Sequence, residues 1–145
     1  MPQHVDVEYG EFTISSDPAR LDIEKISGVL EQTYWGRGRP REMMRKAIRN
    51  SLAFGVYRGK EQIGFARAVT DYSTYAYLAD VIIFEPFRER GLGKRLIQAI
   101  FDHPDLTGIR RWALITQDAQ EFYKQFGFHA LDHPERHMEI RHPNS

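Results

Sequence analysis

The hydrophobic residues of this chain form one stretch with the spacing of a helix and one continuous run typical of a buried strand. Leu92, Leu96, Ile97, Ile100 and Phe101 recur at helical spacing, which predicts a helix with one apolar face. Residues 77–84 form an apolar run dense enough to indicate a central strand covered on both faces. The turn between them contains two glycines. The sequence therefore predicts a strand, a glycine turn and a helix in succession.

The remaining pattern predicts alternating strands and helices along the rest of the chain. Residues 1–10 are polar and predict no element, and a helix is expected to begin near Asp17. Asp118 and Glu121 have the spacing of a capping box that opens a short helix ending at Gly127. Strands are predicted at residues 12–15, 52–58, 63–69, 77–84 and 112–115, with weaker candidates at 128–131 and 136–140. This order favours an α+β or mixed α/β fold whose sheet is covered on both faces.

The glycine turn is the strongest candidate for a binding site. Unpaired N–H groups at a helix N-terminus attract anions, and glycines let a phosphate come close to them. Arg88, Arg90, Lys94 and Arg95 add positive charge around the same turn. Leu96 stands where a dinucleotide-binding fingerprint requires its third glycine, and the Walker spacing is not met either. The turn therefore predicts a phosphate or pyrophosphate site, the alternative being a tight turn into a core helix.

Two motifs resemble those of the GCN5-related N-acetyltransferase (GNAT) superfamily. Arg88-x-x-Gly91-x-Gly93 resembles its Q/R-x-x-G-x-G/A signature, and Tyr123-x-x-x-Gly127-Phe128 resembles the segment that follows about 30 residues later. The order of elements is also similar. TYW, GRPRE, YLADV, RRW, FGF and ERxMEI together look like a subgroup of small bacterial members, so the resemblance covers about residues 33–140.

The resemblance implies one GNAT acyl-CoA N-acyltransferase domain over residues 1–145. Its mostly antiparallel sheet would splay between the fourth and fifth predicted strands and carry helices on both faces. Acetyl-CoA, the acyl donor, would lie in that gap. The resemblance assigns the following residues to the donor: Ile82, Ile83, Phe84, Arg88, Glu89, Arg90, Gly91, Leu92, Gly93 and Lys94.

One feature of the turn departs from the superfamily pattern. Glu89 stands where a glycine is common, and Glu85 occupies a position where a proline is frequent. An acid beside a pyrophosphate would weaken binding by about 1 kcal/mol if it pointed inward in solvent. We therefore expect a reduced affinity for the donor at most.

The implied activity is transfer of an acetyl group to a primary amine by direct attack through a tetrahedral intermediate. Tyr123 is the candidate general acid for the leaving thiolate, because a phenol is protonated at pH 7; the alternative is core packing or a hydrogen bond to the sulfur. Asp80, a carboxylate inside an apolar strand, is either a base or amine anchor, or the partner of an arginine such as Arg67. Asp71 is a weaker candidate for the base.

The resemblance places Tyr34, Trp35 and Arg39 on the acceptor side, although Trp35 could equally pack beneath its loop. The arginine-rich loop favours a small or anionic acceptor, so a small-molecule amine is expected. Two alternatives stay open. One is acetylation of a protein lysine or N-terminus, and the other is a non-catalytic module that only binds acyl-CoA.

Composition narrows the remaining possibilities. The 145 residues contain 41% hydrophobic residues, and 20 basic residues balance 20 acidic ones, which favours neither a nucleic acid nor a membrane partner. The chain contains no cysteine, which excludes a thiol nucleophile and thiolate zinc sites and fits the reducing cytoplasm. No signal peptide is evident, and the histidines show no metal-ligand spacing, so no metal is expected. The resemblance also makes a homodimer possible.

Overall fold

A central mixed sheet organises the structure, a computed structural model that describes residues 2–142. Within these residues six strands lie in sequence order across the sheet. They are β1 (Asp6–Tyr9), β2 (Phe12–Ser15), β3 (Leu52–Arg58), β4 (Glu61–Thr70), β5 (Tyr75–Ile83) and β6 (Arg111–Ala113). Neighbours from β1 to β5 are antiparallel, and β6 runs parallel to β5. The predicted mixed α+β sheet is therefore confirmed.

Helices cover both faces of the sheet, as predicted. They are α1 (Ile23–Leu30), α2 (Arg41–Arg49), α3 (Leu92–Asp102) and α4 (Gln120–Lys124). The apolar face of α3 packs Leu92, Leu96 and Ile100 on one face of the sheet, with Phe122 of α4 beside this cluster. Ile26 of α1 and Met44 of α2 belong to a second cluster on the opposite face. The helical spacing read from the sequence thus corresponds to real burial.

An irregularity in β5 changes the face to which its side chains point. Phe65 of β4 pairs with Ile82, whereas Arg67, two residues further, pairs with Ala79, so β5 contains one extra residue. Asp80 lies within this bulge with a φ of 55°, a left-handed value that Asp adopts more readily than most residues. Leu78 consequently packs with the α3 cluster, and Ile82 packs with the α1–α2 cluster.

The gap between β5 and β6 is the second feature that positions the site. The two strands pair only at Tyr75–Arg111, Ala76–Trp112 and Tyr77–Ala113. Beyond these pairs β5 continues to Ile83, while the chain after Ala113 leaves the sheet. The sheet therefore splays between the two strands, at the place that the resemblance implied.

Several predicted element boundaries were wrong. The polar segment Asp6–Tyr9 forms an edge strand, and Asp17 caps only a short 3₁₀ turn, while Asp22 caps α1 through a hydrogen bond from the Lys25 N–H (3.1 Å). Asp118 does not open α4, which begins at Gln120 after Ala119.

The two strands predicted near the C-terminus are also wrong. Residues 128–131 and 136–140 form no strand, and a 3₁₀ turn at Pro134–Arg136 lies between them. Their side chains are exposed except for the half-buried Phe128. An alternating pattern alone could not show that these segments find no partner strand within the described chain.

Candidate active site

The splayed strands border an open cleft of about 1200 Å³. Its walls come from β5, from the chain after β6, from α4, from the loop after α1 and from the C-terminal segment. Of the residues assigned from sequence, the cleft brings together Tyr34, Trp35, Arg39, Asp80, Ile82, Ile83, Arg88, Gly93 and Tyr123. Phe84, Glu89, Arg90, Gly91, Leu92 and Lys94 do not line this cleft.

The glycine turn forms one end of the site. Gly91 is the N-cap of α3 with a φ of 75°, a left-handed value that glycine adopts without steric cost. Arg95 is the donor of the first helical hydrogen bond, to the Gly91 carbonyl (3.2 Å), so the amides of the first turn point out of the helix end. A Cβ on Gly93 would lie 3.5 Å from the Phe122 ring. This helix end has the geometry of an anion site.

The charged residues of this turn point in different directions. Arg88 Nε donates to the Ile83 carbonyl (2.9 Å), which holds its guanidinium at the end of β5. The Arg90 guanidinium lies over the Phe87 ring, 5.4 Å from its centroid. Lys94 and Glu89 are exposed, and Glu89 has a φ of 66°, which explains why a glycine suits this position.

Ile83, the last residue of β5, and Phe84, which follows it, differ in their backbone environment. The Phe84 amide donates to the carbonyl of Ile63 in the adjacent strand β4 (2.9 Å), and the Phe84 side chain is buried in the α1–α2 cluster. Because backbone groups alternate along a strand, those of Ile83 face the gap, as its bond from Arg88 also shows. The Ile83 amide therefore faces the gap where a ligand can reach it, whereas the Ile83 carbonyl already accepts from Arg88 and the Phe84 amide is bonded to β4.

Asp80 lies at the centre of a buried ionic cluster. Arg39 Nη1 donates to both of its carboxylate oxygens (2.8 and 2.9 Å), and Arg67 Nε donates to one of them (2.7 Å). Trp35 Nε1 adds a further bond (3.1 Å). Only 1% of the Asp80 side chain is exposed. The sequence left two roles open, and this environment favours the ion pair over the base.

Asp71, the weaker candidate for the base, lies in the exposed β4–β5 turn. It accepts hydrogen bonds from the amides of Ser73, Thr74 and Tyr75 and from the Thr74 hydroxyl. The Thr74 hydroxyl and these amides hold the pKa of the Asp71 carboxyl well below its usual range. Asp71 therefore organises its own turn and does not line the cleft.

Tyr123 projects from α4 into the cleft, half-buried between Phe122 and Phe128. Burial raises the pKa of its phenol to about 12, and the nearby Tyr34 hydroxyl contributes in the same direction. The phenol consequently keeps its proton throughout the neutral range. Its hydroxyl is available as a hydrogen-bond donor in the cleft.

Tyr34 and Trp35 line the cleft beside Asp80. Their rings meet edge to face with centroids 5.1 Å apart. The Tyr34 hydroxyl accepts a hydrogen bond from the Gln117 amide (3.0 Å), which connects the loop after α1 to the loop after β6. Trp35 donates a hydrogen bond from Nε1 to the Asp80 carboxylate. This aromatic pair therefore forms the part of the wall that joins these two loops beside the ionic cluster.

Sequence reasoning missed several residues of the cleft walls. The Gln117 amide gave no signal, because a backbone group is independent of residue type. The segment at Glu139, Ile140 and Arg141 also lines the cleft, although its pattern indicated only a weak strand. Arg67 was considered only as an ion-pair partner, a role that it has here.

Comparison with known proteins places this geometry in a family. The Acetyltransferase (GNAT) family matches residues 22–128. A crystal structure of a GNAT-family protein from Xanthomonas campestris pv. campestris shares 40% identity and superposes with a TM-score of 0.89, covering 92% of this chain and 94% of that one. An acetyltransferase assigned in Gibberella zeae is 28% identical, over 79% of this chain and 76% of its own. The aminoglycoside N-acetyltransferase AAC(6')-Iy in complex with CoA shares only the fold, at 21% identity and a TM-score of 0.61, covering 83% and 88% of the two chains.

The chain belongs to the acetyltransferase (GNAT) family. It is therefore an acyltransferase, and the predicted superfamily, fold and enzyme class are confirmed. Within residues 2–142, no helix is long and apolar enough to cross a membrane. In the same range no group of three or more His, Cys, Asp or Glu residues is arranged to hold a metal ion.

Proposed function

We propose that this protein is an acetyl-CoA-dependent N-acetyltransferase whose acceptor is a primary amine on a small molecule. One observation carries the proposal: a single cleft is lined by the end of β5 near the glycine turn, by Tyr123 and by the aromatic pair Tyr34 and Trp35 beside Arg39. Donor, proton source and acceptor can therefore meet in one space.

The donor end fits coenzyme A by its own groups. The amides after Gly91 would hold the pyrophosphate, with Arg88 and Lys94 supplying positive charge. The backbone of Ile83 would pair with the pantetheine arm along the open strand edge. When bound, acetyl-CoA supplies the thioester from which the acetyl group is transferred.

Tyr123 provides a proton at the centre of the cleft. Its phenol holds the proton tightly because it is half-buried. The same surroundings disfavour a thiolate, since burial penalises any charged form, so the pKa of the leaving thiol rises together with that of the phenol. We therefore assign Tyr123 as the group that donates a hydrogen bond and then its proton to the departing sulfur.

The ionic cluster shapes the acceptor end. Two guanidiniums on one carboxylate leave an excess positive charge, and a quarter of the Arg39 side chain remains exposed. This charge favours an acceptor that carries an anionic group. It also lowers the pKa of an ammonium bound nearby, which favours the neutral, reactive amine. In this account Asp80 positions Arg39 and Trp35. The attacking nitrogen forms its bond to the acetyl carbon and loses its proton to solvent water in the open cleft, Tyr123 protonates the departing sulfur, and no carboxylate base is required.

The positive charge at the acceptor end supports a small molecule over a protein. The bond from the Gln117 amide to Tyr34 links two walls of the cleft here, and a lysine chain entering from a protein would meet arginines. The cytoplasm, expected from the composition, remains our proposal for the compartment.

Turnover can be measured by the release of free thiol from acetyl-CoA. The chain contains no cysteine, so the protein adds no background to a thiol reagent. The panel should contain aliphatic amines with and without a carboxylate, aromatic amines, and a lysine peptide. We expect turnover with small amines, and faster turnover with carboxylate-bearing ones. Turnover with the peptide alone would overturn the small-molecule acceptor, and no turnover would overturn the enzymatic proposal.

Tyr123→Phe tests the proton donor in the same assay. We expect kcat to fall about 100-fold, within the usual range for general acid catalysis, while KM for acetyl-CoA stays unchanged. Tyr72→Phe, at an exposed tyrosine in the β4–β5 turn, is the matched control and should leave both constants unchanged. An undiminished kcat in Tyr123→Phe would remove Tyr123 from the mechanism.

A further inference from the structure

The β1–β2 hairpin, which has no part in the proposed function, packs against the glycine turn. Tyr9 pairs with Phe12 at the closed end of the hairpin. The buried ring of Phe12 meets Phe87 of the glycine turn edge to face, with centroids 6.4 Å apart. The Arg58 guanidinium of β3 covers the same Phe87 ring, 4.8 Å from its centroid. These contacts hold the end of the hairpin beside the N-terminus of α3.

Tyr9 lies directly beside Gly91, the N-cap of α3. A Cβ on Gly91 would lie 3.7 Å from the Tyr9 hydroxyl. The Tyr9 ring is half-buried against the apolar cluster beneath α3, which fixes the direction of the hydroxyl. Within residues 2–142 this hydroxyl forms no hydrogen bond. It is therefore available to donate to a ligand that is bound at this helix end.

Arg95 brings positive charge to the same side of α3. Residues four apart on a helix lie on one face, so Arg95 projects from the side of the helix on which Gly91 lies. The Arg95 guanidinium lies over the Tyr9 ring, 4.3 Å from its centroid, in a cation–π contact. Arg95 is nonetheless exposed, so its N–H groups can reach a ligand. Tyr9 and Arg95 thus place a hydroxyl and a guanidinium on one side of the helix end.

This pair lies outside the active-site cleft. Neither Tyr9 nor Arg95 lines the cleft, whereas Arg88 and Gly93 do. The thioester of acetyl-CoA has to lie in the cleft near Tyr123, so the nucleotide end of the donor has to leave the cleft past the glycine turn. The diphosphate of the donor fits the amides of α3. The phosphomonoester on its ribose is then left for groups beyond the turn.

The chemistry of the pair suits a phosphomonoester. Such a group carries about 1.5 to 2 negative charges at neutral pH and three strong acceptor oxygens. A guanidinium can donate to two of these oxygens at once, which leaves the third for a hydroxyl donor. Tyr9 and Arg95 supply these two kinds of donor without adding negative charge to the site.

We propose that Tyr9 and Arg95 bind the ribose phosphomonoester of acetyl-CoA and make the protein selective for the phosphorylated donor. This inference rests on the proposed function, because it takes acetyl-CoA as the donor. The β1–β2 hairpin then recognises the nucleotide end of the donor, while the cleft holds its thioester end.

Calorimetric titration of the full chain with acetyl-CoA and with acetyl-dephospho-CoA, which lacks only this phosphate, tests the proposal. We expect wild type to bind acetyl-CoA at least tenfold more tightly than acetyl-dephospho-CoA. Tyr9→Phe keeps the ring and removes the hydroxyl. It should weaken acetyl-CoA binding about tenfold, as for a hydrogen bond to a charged group. Arg95→Gln should weaken it about fivefold, as for an exposed ion pair.

The dephosphorylated donor separates this contact from a general loss of affinity. Both variants should bind acetyl-dephospho-CoA like wild type, since neither then has a phosphate to contact. Tyr72→Phe and Arg49→Gln, at an exposed tyrosine in the β4–β5 turn and an exposed arginine at the end of α2, are the matched controls. They should bind both donors like wild type. Circular dichroism would establish that each variant remains folded.

The possible results distinguish this inference from the proposed function. Equal affinity of wild type for the two donors would overturn the phosphate contact and leave the proposed function intact. Equal weakening of both donors in Tyr9→Phe would place the hydroxyl at the diphosphate instead, and unchanged binding would remove Tyr9 from the site. If wild type bound neither donor, the proposed function would be wrong, and this inference with it.

Discussion

The two ends of the cleft are built from different kinds of chemical group, backbone amides at one end and side chains at the other. The glycine turn presents backbone amides at a helix end, and its charged side chains are exposed. The acceptor end consists of side chains, with a carboxylate buried beneath Arg39 and Arg67. A backbone site depends on local conformation, whereas a buried ionic cluster depends on every partner being present.

This difference separates binding from stability. Changes at the glycine turn should alter the affinity for the donor and leave the fold nearly intact. Changes at the acceptor end should alter both the stability of the fold and the affinity for the acceptor amine. The predictions that follow test this separation.

Asp80→Asn should have the largest effect on the fold. The substitution preserves the size of the side chain and tolerance of the left-handed φ, but it leaves two arginines without their counter-charge. Removing one partner of a buried ionic cluster costs about 3–5 kcal/mol. Urea unfolding should show this loss in the free energy of unfolding.

Glu42→Gln is the matched control for Asp80→Asn. Glu42 pairs with Arg45 on the surface, where its own side chain is 85% exposed. Such a pair contributes about 0–1 kcal/mol. Equal losses in the two variants would mean that the buried cluster contributes no more than a surface ion pair.

Tyr34→Phe should weaken binding of the acceptor amine more than it lowers the stability of the fold. The substitution removes the hydroxyl that accepts a hydrogen bond from the Gln117 amide, and a bond of this kind contributes about 1 kcal/mol. We expect KM for the amine to rise about fivefold, the same free energy expressed as a ratio, with KM for acetyl-CoA unchanged. Tyr75→Phe, at an exposed tyrosine, should change neither constant. If KM for acetyl-CoA changed more than KM for the amine, Tyr34 would act at the donor end, and its assignment to the acceptor end would be wrong.

Changes at Glu89 should have the smallest effect, and this effect should be confined to the affinity for acetyl-CoA. Glu89→Gln removes the charge, and Glu89→Gly also relieves the left-handed φ of 66°. Both should tighten acetyl-CoA binding by up to about fivefold, because about 1 kcal/mol of repulsion is removed. The gain should shrink at high salt, where solvent-exposed charges are screened. A gain in Glu89→Gly alone would assign the effect to the backbone.

The parts of the molecule that local pattern determines were predictable. The helix from Leu92 and the glycine turn before it follow from spacing and from the conformational freedom of Gly91. The surroundings of Asp80 were only half predictable. An acid in an apolar strand signals a partner, but the bulge depends on the register with β4, and Arg39 is 41 residues distant in the chain.

The ends of the chain show why pattern alone is insufficient. Asp6–Tyr9 is a strand because β2 offers an edge, although its own residues are polar. Residues 136–140 have the alternation of a strand yet form none in the described chain. In both cases the availability of a partner edge decided the outcome, and a partner edge cannot be seen in local sequence.

Calorimetric titration with acetyl-CoA tests the central claim most directly. We expect wild type to bind one equivalent per chain with micromolar affinity, and Gly91→Asp to lose this binding, because a negative charge then lies at the helix end that would hold the pyrophosphate. Gly108→Asp is the matched control: Gly108 also has a left-handed φ (78°), and nothing lies within 4 Å of a Cβ there. It should bind like wild type. A folded wild-type protein that does not bind, or a Gly91→Asp variant that binds equally well, would contradict the account.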